Sequence, residues 1–143
     1  MVWVVTGGTK GLGRSLVMAL VNEGHTVVAM GRDNAALAEL HDGERVHAVH
    51  LDLADPSAVA AASTEVLALP PVAASGITGL LHNAGDVAPV GAMSALDDAA
   101  WGRALQVNLV GVQQLTRGLW PGLVAGQARV VTISSGASLR PIH

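Results

Sequence analysis

The chain has 143 residues, half of them apolar, and a net charge of −3 from eight Lys and Arg against eleven Asp and Glu. That length suits one domain with a real core, and the missing basic excess excludes a protein built to neutralise a nucleic-acid backbone. There is no Cys, which excludes disulfides, thiol catalysis and thiolate metal sites and agrees with a reducing compartment.

In chain order, Val2 to Val5 is a short apolar run that stops at Thr6-Gly7-Gly8, as a strand covered on both faces does. A helix is expected from Gly13: Leu16, Val17, Leu20 and Val21 recur at helical spacing, and Gly24 stands where a C-terminal cap belongs. Thr26 to Met30, closed by Gly31, reads as the second strand, Ala35 to Leu40 as a short helix and Arg45 to Leu51 as the third strand. Asp55-Pro56 introduces a helix over Ser57 to Leu69, because proline in a first turn lacks only an amide hydrogen that has no partner there. Pro70 to Gly76 is expected to be a connection and Ile77 to His82 the fourth strand. One long helix is expected from Asp97 to about Val124, with a break near Trp120-Pro121, and Arg129 to Ser134 is the fifth strand. This alternation predicts a doubly wound α/β fold, with a parallel sheet in the order 3-2-1-4-5 and a ligand crevice beyond the strand C-termini.

With no Phe and no Tyr, the core falls to Val, Leu, Ile, Ala and three Trp. The N-terminus, MVWVVTGG, has no basic segment ahead of a long apolar one, and no uncharged apolar run of about 18 residues occurs. A cytoplasmic protein with no membrane or nucleic-acid partner is expected. The six His do not suggest a metal site: His47 and His50, three apart in a strand, point to opposite faces. His82 is given no chemistry.

Gly7, Gly8, Gly11 and Gly13 follow the first strand and precede a helix. Such glycines allow a sharp turn and let backbone amides approach a pyrophosphate at a helix N-terminus. "GTKGLGRS", Gly8 to Ser15, also resembles a phosphate loop of nucleotide triphosphatases, with Arg14 in place of the lysine. For a dinucleotide, a carboxylate at the end of the second strand selects a ribose 2′-hydroxyl and a cation selects a 2′-phosphate. That strand ends Met30-Gly31-Arg32, and Lys10 lies in the glycine loop, which together favour NADP. Asp33, one position later, argues the opposite.

Five segments, "TGGTKGLG" (Thr6 to Gly13), "LDL" (Leu51 to Leu53), "NAG" (Asn83 to Gly85), "QVNLVG" (Gln106 to Gly111) and "VVTISS" (Val130 to Ser135), give the whole chain a resemblance to the short-chain dehydrogenase/reductase family. The resemblance implies a Rossmann fold over residues 1–143 that binds NADP. The Gly7, Gly11 and Gly13 backbone would cradle its pyrophosphate, with Thr9 and Leu12 of the same loop also at the cofactor and Lys10 and Arg32 at the 2′-phosphate. Asp52 would bond the adenine amino group beside Leu53, and Asn83, Ala84 and Gly85 would hold the sheet and border the nicotinamide ribose. Asn108 would distort the long helix and position a water of a proton relay; Val107 and Leu109 beside it suggest a largely buried segment. Ser135 would bond a substrate carbonyl. An apolar stripe of Leu105, Leu109, Val112, Leu115 and Leu119 would join a homo-oligomer, a dimer or tetramer.

The activity implied is hydride transfer between NADPH and a small ketone, aldehyde or alcohol, with a Tyr moving the proton. A phenol with a free pKa of about 10 needs a Lys and the oxidised cofactor to act at neutral pH. The chain contains no Tyr and ends eight residues after Ser135. The fold is therefore expected to be incomplete at the C-terminus, with a bare fifth strand and an exposed stripe, and the 143 residues alone are expected to be inactive. The ending "SSGASLRPIH" is faintly similar to the sepiapterin and benzil reductase branch. The alternative is a non-catalytic NADP-binding or interaction protein that ends naturally at His143.

Overall fold

A computed structural model describes residues 1–135. The strands are β1 (Val2–Thr6), β2 (Thr26–Gly31), β3 (Val46–His50), β4 (Gly79–His82) and β5 (Arg129–Thr132). All pair in parallel, in the order β3-β2-β1-β4-β5. The helices are α1 (Gly11–Asn22), α2 (Asn34–Leu40), α3 (Pro56–Ala68), α4 (Pro70–Ser75), α5 (Asp98–Leu105), α6 (Gly111–Gly118) and α7 (Trp120–Ala125). No described helix is long and apolar enough to cross a membrane.

Alternate strand residues feed two cores, as a period of two requires. Val2, Val4, Val28, Met30, Val49 and Leu80 pack with Val59, Val66, Leu115 and Leu119 of α3, α6 and the turn after it. Val5, Val27, Ala29, Val46 and Leu81 pack on the opposite face with Val17 of α1 and Leu40 of α2. Helices therefore cover both faces of the sheet, as the apolar strands demand. Trp3 pairs with Gly79 across β1 and β4, and a Cβ on Gly79 would collide with the indole ring.

Two expectations about the helices are corrected. Pro70–Ser75 is a short helix rather than a plain connection, because its two prolines occupy the first turn, where no amide hydrogen is needed. The long helix is three segments: a π-helical turn, Gln106–Val110, joins α5 to α6, and Leu119 (φ −86°, ψ −2°) separates α6 from α7. The break thus comes one residue before Trp120-Pro121, with the proline in the first turn of α7.

The π turn also divides the apolar stripe. Leu115 and Leu119 are fully buried and Val112 packs against the core, whereas Leu105 and Leu109 are 45% and 64% exposed. The wider turn rotates the two ends of the helix out of phase, so the inward face runs through Val107, Gly111, Leu115 and Leu119 instead. β5 stops at Thr132, two residues short of the expected end, and is the sheet edge; Val130, Val131 and Ile133 are all at least 40% exposed among the described residues.

Candidate functional site

The site lies beyond the C-terminal ends of β1 to β4, centred on β1, which has β2 and β3 on one side and β4 and β5 on the other. After Thr6 the chain turns through Gly7 (φ +66°) and Gly11 (φ +53°), backbone conformations that suit glycine. Gly13 is needed for a different reason: a Cβ there would strike the carbonyl oxygen of Gly7 and the side chain of Asn83. Lys10 occupies the N-cap of α1 but makes no side-chain cap hydrogen bond. The first turn of this 12-residue helix therefore has amide hydrogens that no side-chain cap satisfies, a feature suited to an anion.

Thr6 and Asn83 tie the loop to the end of β4. The Thr6 hydroxyl accepts from the backbone amides of Asn83 and Ala84, each at 3.0 Å, and donates to the Leu81 carbonyl at 3.4 Å. Asn83 Nδ2 donates to the carbonyl oxygens of Thr6 at 3.0 Å and Gly7 at 3.3 Å.

At the end of β2, Thr9 packs onto Gly31, where a Cβ would come within 2.9 Å of Thr9 Cγ2. Arg32 follows on the exposed rim. Asp33 is engaged otherwise: it caps α2, its Oδ1 accepting from the Ala36 amide at 3.1 Å. At the end of β3, Asp52 Oδ1 accepts from the Ala54 amide at 2.9 Å, a turn that presents Leu53, itself buried. Gln106 Nε2 donates to the Leu53 carbonyl at 3.3 Å, and Gly111 leaves no room for a side chain against the same carbonyl.

These pieces enclose a cavity of about 520 Å³. Gly7, Thr9, Lys10, Gly11, Leu12, Gly13, Arg32, Asp52, Leu53, Asn83, Ala84 and Gly85 all line it. So do Gly31, Asp33, Ala36, Leu51, Asp86 and Val107, which are not among the residues expected to hold the cofactor. Five of these flank residues already singled out: Gly31 and Asp33 adjoin Arg32, Leu51 adjoins Asp52, Asp86 adjoins Gly85 and Val107 adjoins Asn108. Ala36 carries no such local signal, since only the packing of α2 brings it to the cleft.

Asn108 and Ser135 stand outside the lining. Asn108 is at the middle of the π turn and exposed, not buried, and so is Leu109. Val107 is the buried residue of that turn, and Gln106 is partly buried against Leu53. The Asn108 amide reaches across to Asp86 instead: Oδ1 accepts from the Asp86 backbone amide at 2.8 Å and Nδ2 donates to the Asp86 carbonyl at 2.7 Å. Ser135 follows β5 on an exposed stretch, three residues beyond the Thr132 that pairs with His82.

His82, next to Asn83, is 3% exposed on the α6 side of the site. Its Nε2 lies 2.9 Å from Thr116 Oγ1, and that hydroxyl donates to the Val112 carbonyl at 2.8 Å. Thr116 must then accept from His82, which assigns the proton to Nε2 and leaves Nδ1 buried without a hydrogen-bond partner among the described residues. Burial alone pushes the His82 pKa below its ordinary 6.5. His47 stacks edge-on against His41 and His50 meets Asn34 Oδ1 at 2.9 Å; among the described residues no three His, Asp or Glu converge as a metal site would.

A family model described as short chain dehydrogenase matches residues 1–143. The NADP-dependent 3-hydroxy acid dehydrogenase YdfG of Escherichia coli is 30% identical over 99% of this chain and 56% of its own length. The crystal structure of the KRED1-Pglu enzyme superposes with a TM-score of 0.88 at 32% identity, over 98% of this chain and 58% of that one. The closed form of serine dehydrogenase complexed with NADP+ gives 0.85 at 29% identity, over 99% and 57%. The chain thus spans little more than half the length of the proteins it matches.

Proposed function

The chain belongs to the short-chain dehydrogenase family, and on that premise we propose that it binds NADP(H) in the cleft above β1 to β4 and serves the reduction of a small ketone or aldehyde. The observation that carries the cofactor assignment is the company of Lys10 and Arg32: both line one cavity, while the neighbouring carboxylate of Asp33 is occupied as the cap of α2. Two cations beside a carboxylate already bonded through Oδ1 to the helix it caps suit a 2′-phosphate better than a 2′-hydroxyl. The cradle fits the rest of the group, since no side chain can stand at Gly13 and no side chain caps α1. The names of the YdfG and serine dehydrogenase relatives point to the same cofactor.

On this reading the backbone of Gly7, Thr9, Gly11, Leu12 and Gly13 holds the pyrophosphate, and Lys10 and Arg32 hold the 2′-phosphate. Asp52 and Leu53 receive the adenine, and Asn83, Ala84 and Gly85 border the nicotinamide ribose. When bound, NADPH supplies the hydride for the carbonyl carbon. Ser135 orients the carbonyl oxygen from the β5 side. Asn108 keeps the π turn and the Asp86 backbone in fixed relation, which agrees with the helix distortion that the resemblance implies. The exposed Leu105, Leu109 and Trp101 support an oligomer contact on this helix. The pointer to a particular reductase branch rests on residues 136–143, which lie outside the described residues.

No Tyr is present in the 143 residues to move the proton, so binding without turnover is the expected behaviour of this chain. The second reading, a non-catalytic NADP-binding or interaction protein, draws on that same absence. Purified chain titrated with NADPH and then assayed with a panel of ketones and aldehydes tests the proposal. Saturable binding with no NADPH consumption is expected. No binding refutes the cofactor assignment, and turnover at an ordinary enzymatic rate refutes the need for the Tyr.

A further inference from the structure

We propose that Asp86 biases the cleft toward the oxidised cofactor, its carboxylate favouring the positively charged nicotinamide ring of NADP+ over the neutral ring of NADPH. The inference rests on the dinucleotide reading above. In the cavity wall the glycine loop follows β1, Arg32 follows β2 and Asp52 follows β3, and Lys10 is next to Thr9, which packs onto Gly31 at the end of β2. A nucleotide whose 2′-phosphate meets those cations must send its other half toward β4. The lining there comes from Asn83, Ala84, Gly85, Asp86 and Val107, and Asp86 is the charged residue among them.

The position of Asp86 is fixed at three points. Its backbone amide donates to Asn108 Oδ1 at 2.8 Å and its carbonyl accepts from Asn108 Nδ2 at 2.7 Å. Its carboxylate accepts from the Ala88 amide at 3.1 Å through Oδ1. Residue 86 is half-buried in the cleft wall while its carboxylate stays in reach of solvent, so its field on a bound ring is a partly screened one. A held carboxylate loses little entropy when a cation arrives beside it, and it distinguishes the two redox forms because they differ by one positive charge on the ring. Preference for the oxidised form, by linkage, makes the bound reduced form a stronger hydride donor. Asn108, without touching the cofactor, acts here as a positioning residue for Asp86.

The test is equilibrium titration of the full 143-residue chain with NADP+ and with NADPH, in wild type and in Asp86→Asn. The substitution removes the charge but keeps an Oδ1 acceptor for the Ala88 amide. The ratio of the NADPH to the NADP+ dissociation constant is expected to fall about three- to tenfold, the size of a partly screened charge contact. Asp86→Glu is expected to retain most of the wild-type ratio, and the wild-type ratio is expected to shrink in high salt. An unchanged ratio in Asp86→Asn, or an equal loss of both affinities as a purely structural residue would give, overturns the inference while leaving the dinucleotide reading intact. Failure of the wild type to bind either form overturns both.

Discussion

Asn83 donates from Nδ2 to the carbonyl oxygen of Thr6 at 3.0 Å and from its backbone amide to the Thr6 hydroxyl at 3.0 Å, joining residues 77 apart in the chain. One threonine and one asparagine thus lock the end of β4 to the start of the glycine loop. Because the Thr6 hydroxyl also accepts from Ala84, Thr6→Val keeps the shape but strands two amide hydrogens. An unpaired buried donor costs about 1–3 kcal/mol, so Thr6→Val is expected to lower unfolding stability by about 2–4 kcal/mol in a urea titration. A change under about 0.5 kcal/mol would show that the lock contributes nothing.

The glycines of the loop serve different ends, and their alanine variants are expected to differ. Gly13→Ala puts a methyl group against the Gly7 carbonyl, which forces the loop out of shape. NADPH affinity is expected to drop at least about tenfold, the loss of roughly one well-made charged contact. Gly11 has open space around its Cβ but a φ of +53°, so Gly11→Ala meets strain of about 1–2 kcal/mol rather than a clash. Its main effect is expected in stability. Equal affinity losses from both variants would contradict this division.

His82 is expected to make stability fall in mild acid. Its folded pKa is depressed by burial below the ordinary 6.5, so below that pH the unfolded chain takes up a proton that the folded chain refuses. The stabilising contribution is therefore complete above about pH 6.5 and is lost as pH drops from there toward the folded pKa, with a slope of at most about 1.4 kcal/mol per pH unit. His82→Gln removes the titrating group. The difference in stability between wild type and His82→Gln should narrow or reverse between pH 7 and pH 5; parallel profiles would show that His82 does not titrate on unfolding.

Arg32 carries half of the proposed 2′-phosphate site. Arg32→Asp is expected to weaken NADPH by about tenfold or more while leaving NADH unchanged or improved, because the new carboxylate repels a phosphate and accepts from a hydroxyl. Fluorescence titration with both cofactors measures it. An unchanged preference would remove Arg32 from the site and leave Lys10 to explain any selectivity.

Much of this was legible in the sequence because it is local. Strand, glycines and helix follow one another within Val2 to Asn22, and apolar strands alternating with helices dictate a parallel sheet whose order the structure reproduces. The twelve residues expected around a cofactor lie on strand ends and the loop after β1, so one cavity gathers them all. What was hidden depends on packing between distant residues. Reading Gln106 to Val110 with a period of 3.6 assumes an α-helix, and the π turn breaks that period, which is why Leu105 and Leu109 point outward. The clasp between Asn108 and Asp86 joins residues 22 apart and has no spacing signature. Pro70-Pro71 reads as a helix breaker unless it starts the helix, as it does here.

A 2′-phosphorylated dinucleotide held between Lys10 and Arg32 is the central proposal for the cleft. The most direct measurement is a pair of titrations of the wild-type chain, with NADPH and with NADH, under one buffer and salt condition. NADPH is expected to bind at least about tenfold more tightly, as one or two charge-assisted phosphate contacts imply. Equal affinities, or tighter binding of NADH, would contradict the claim.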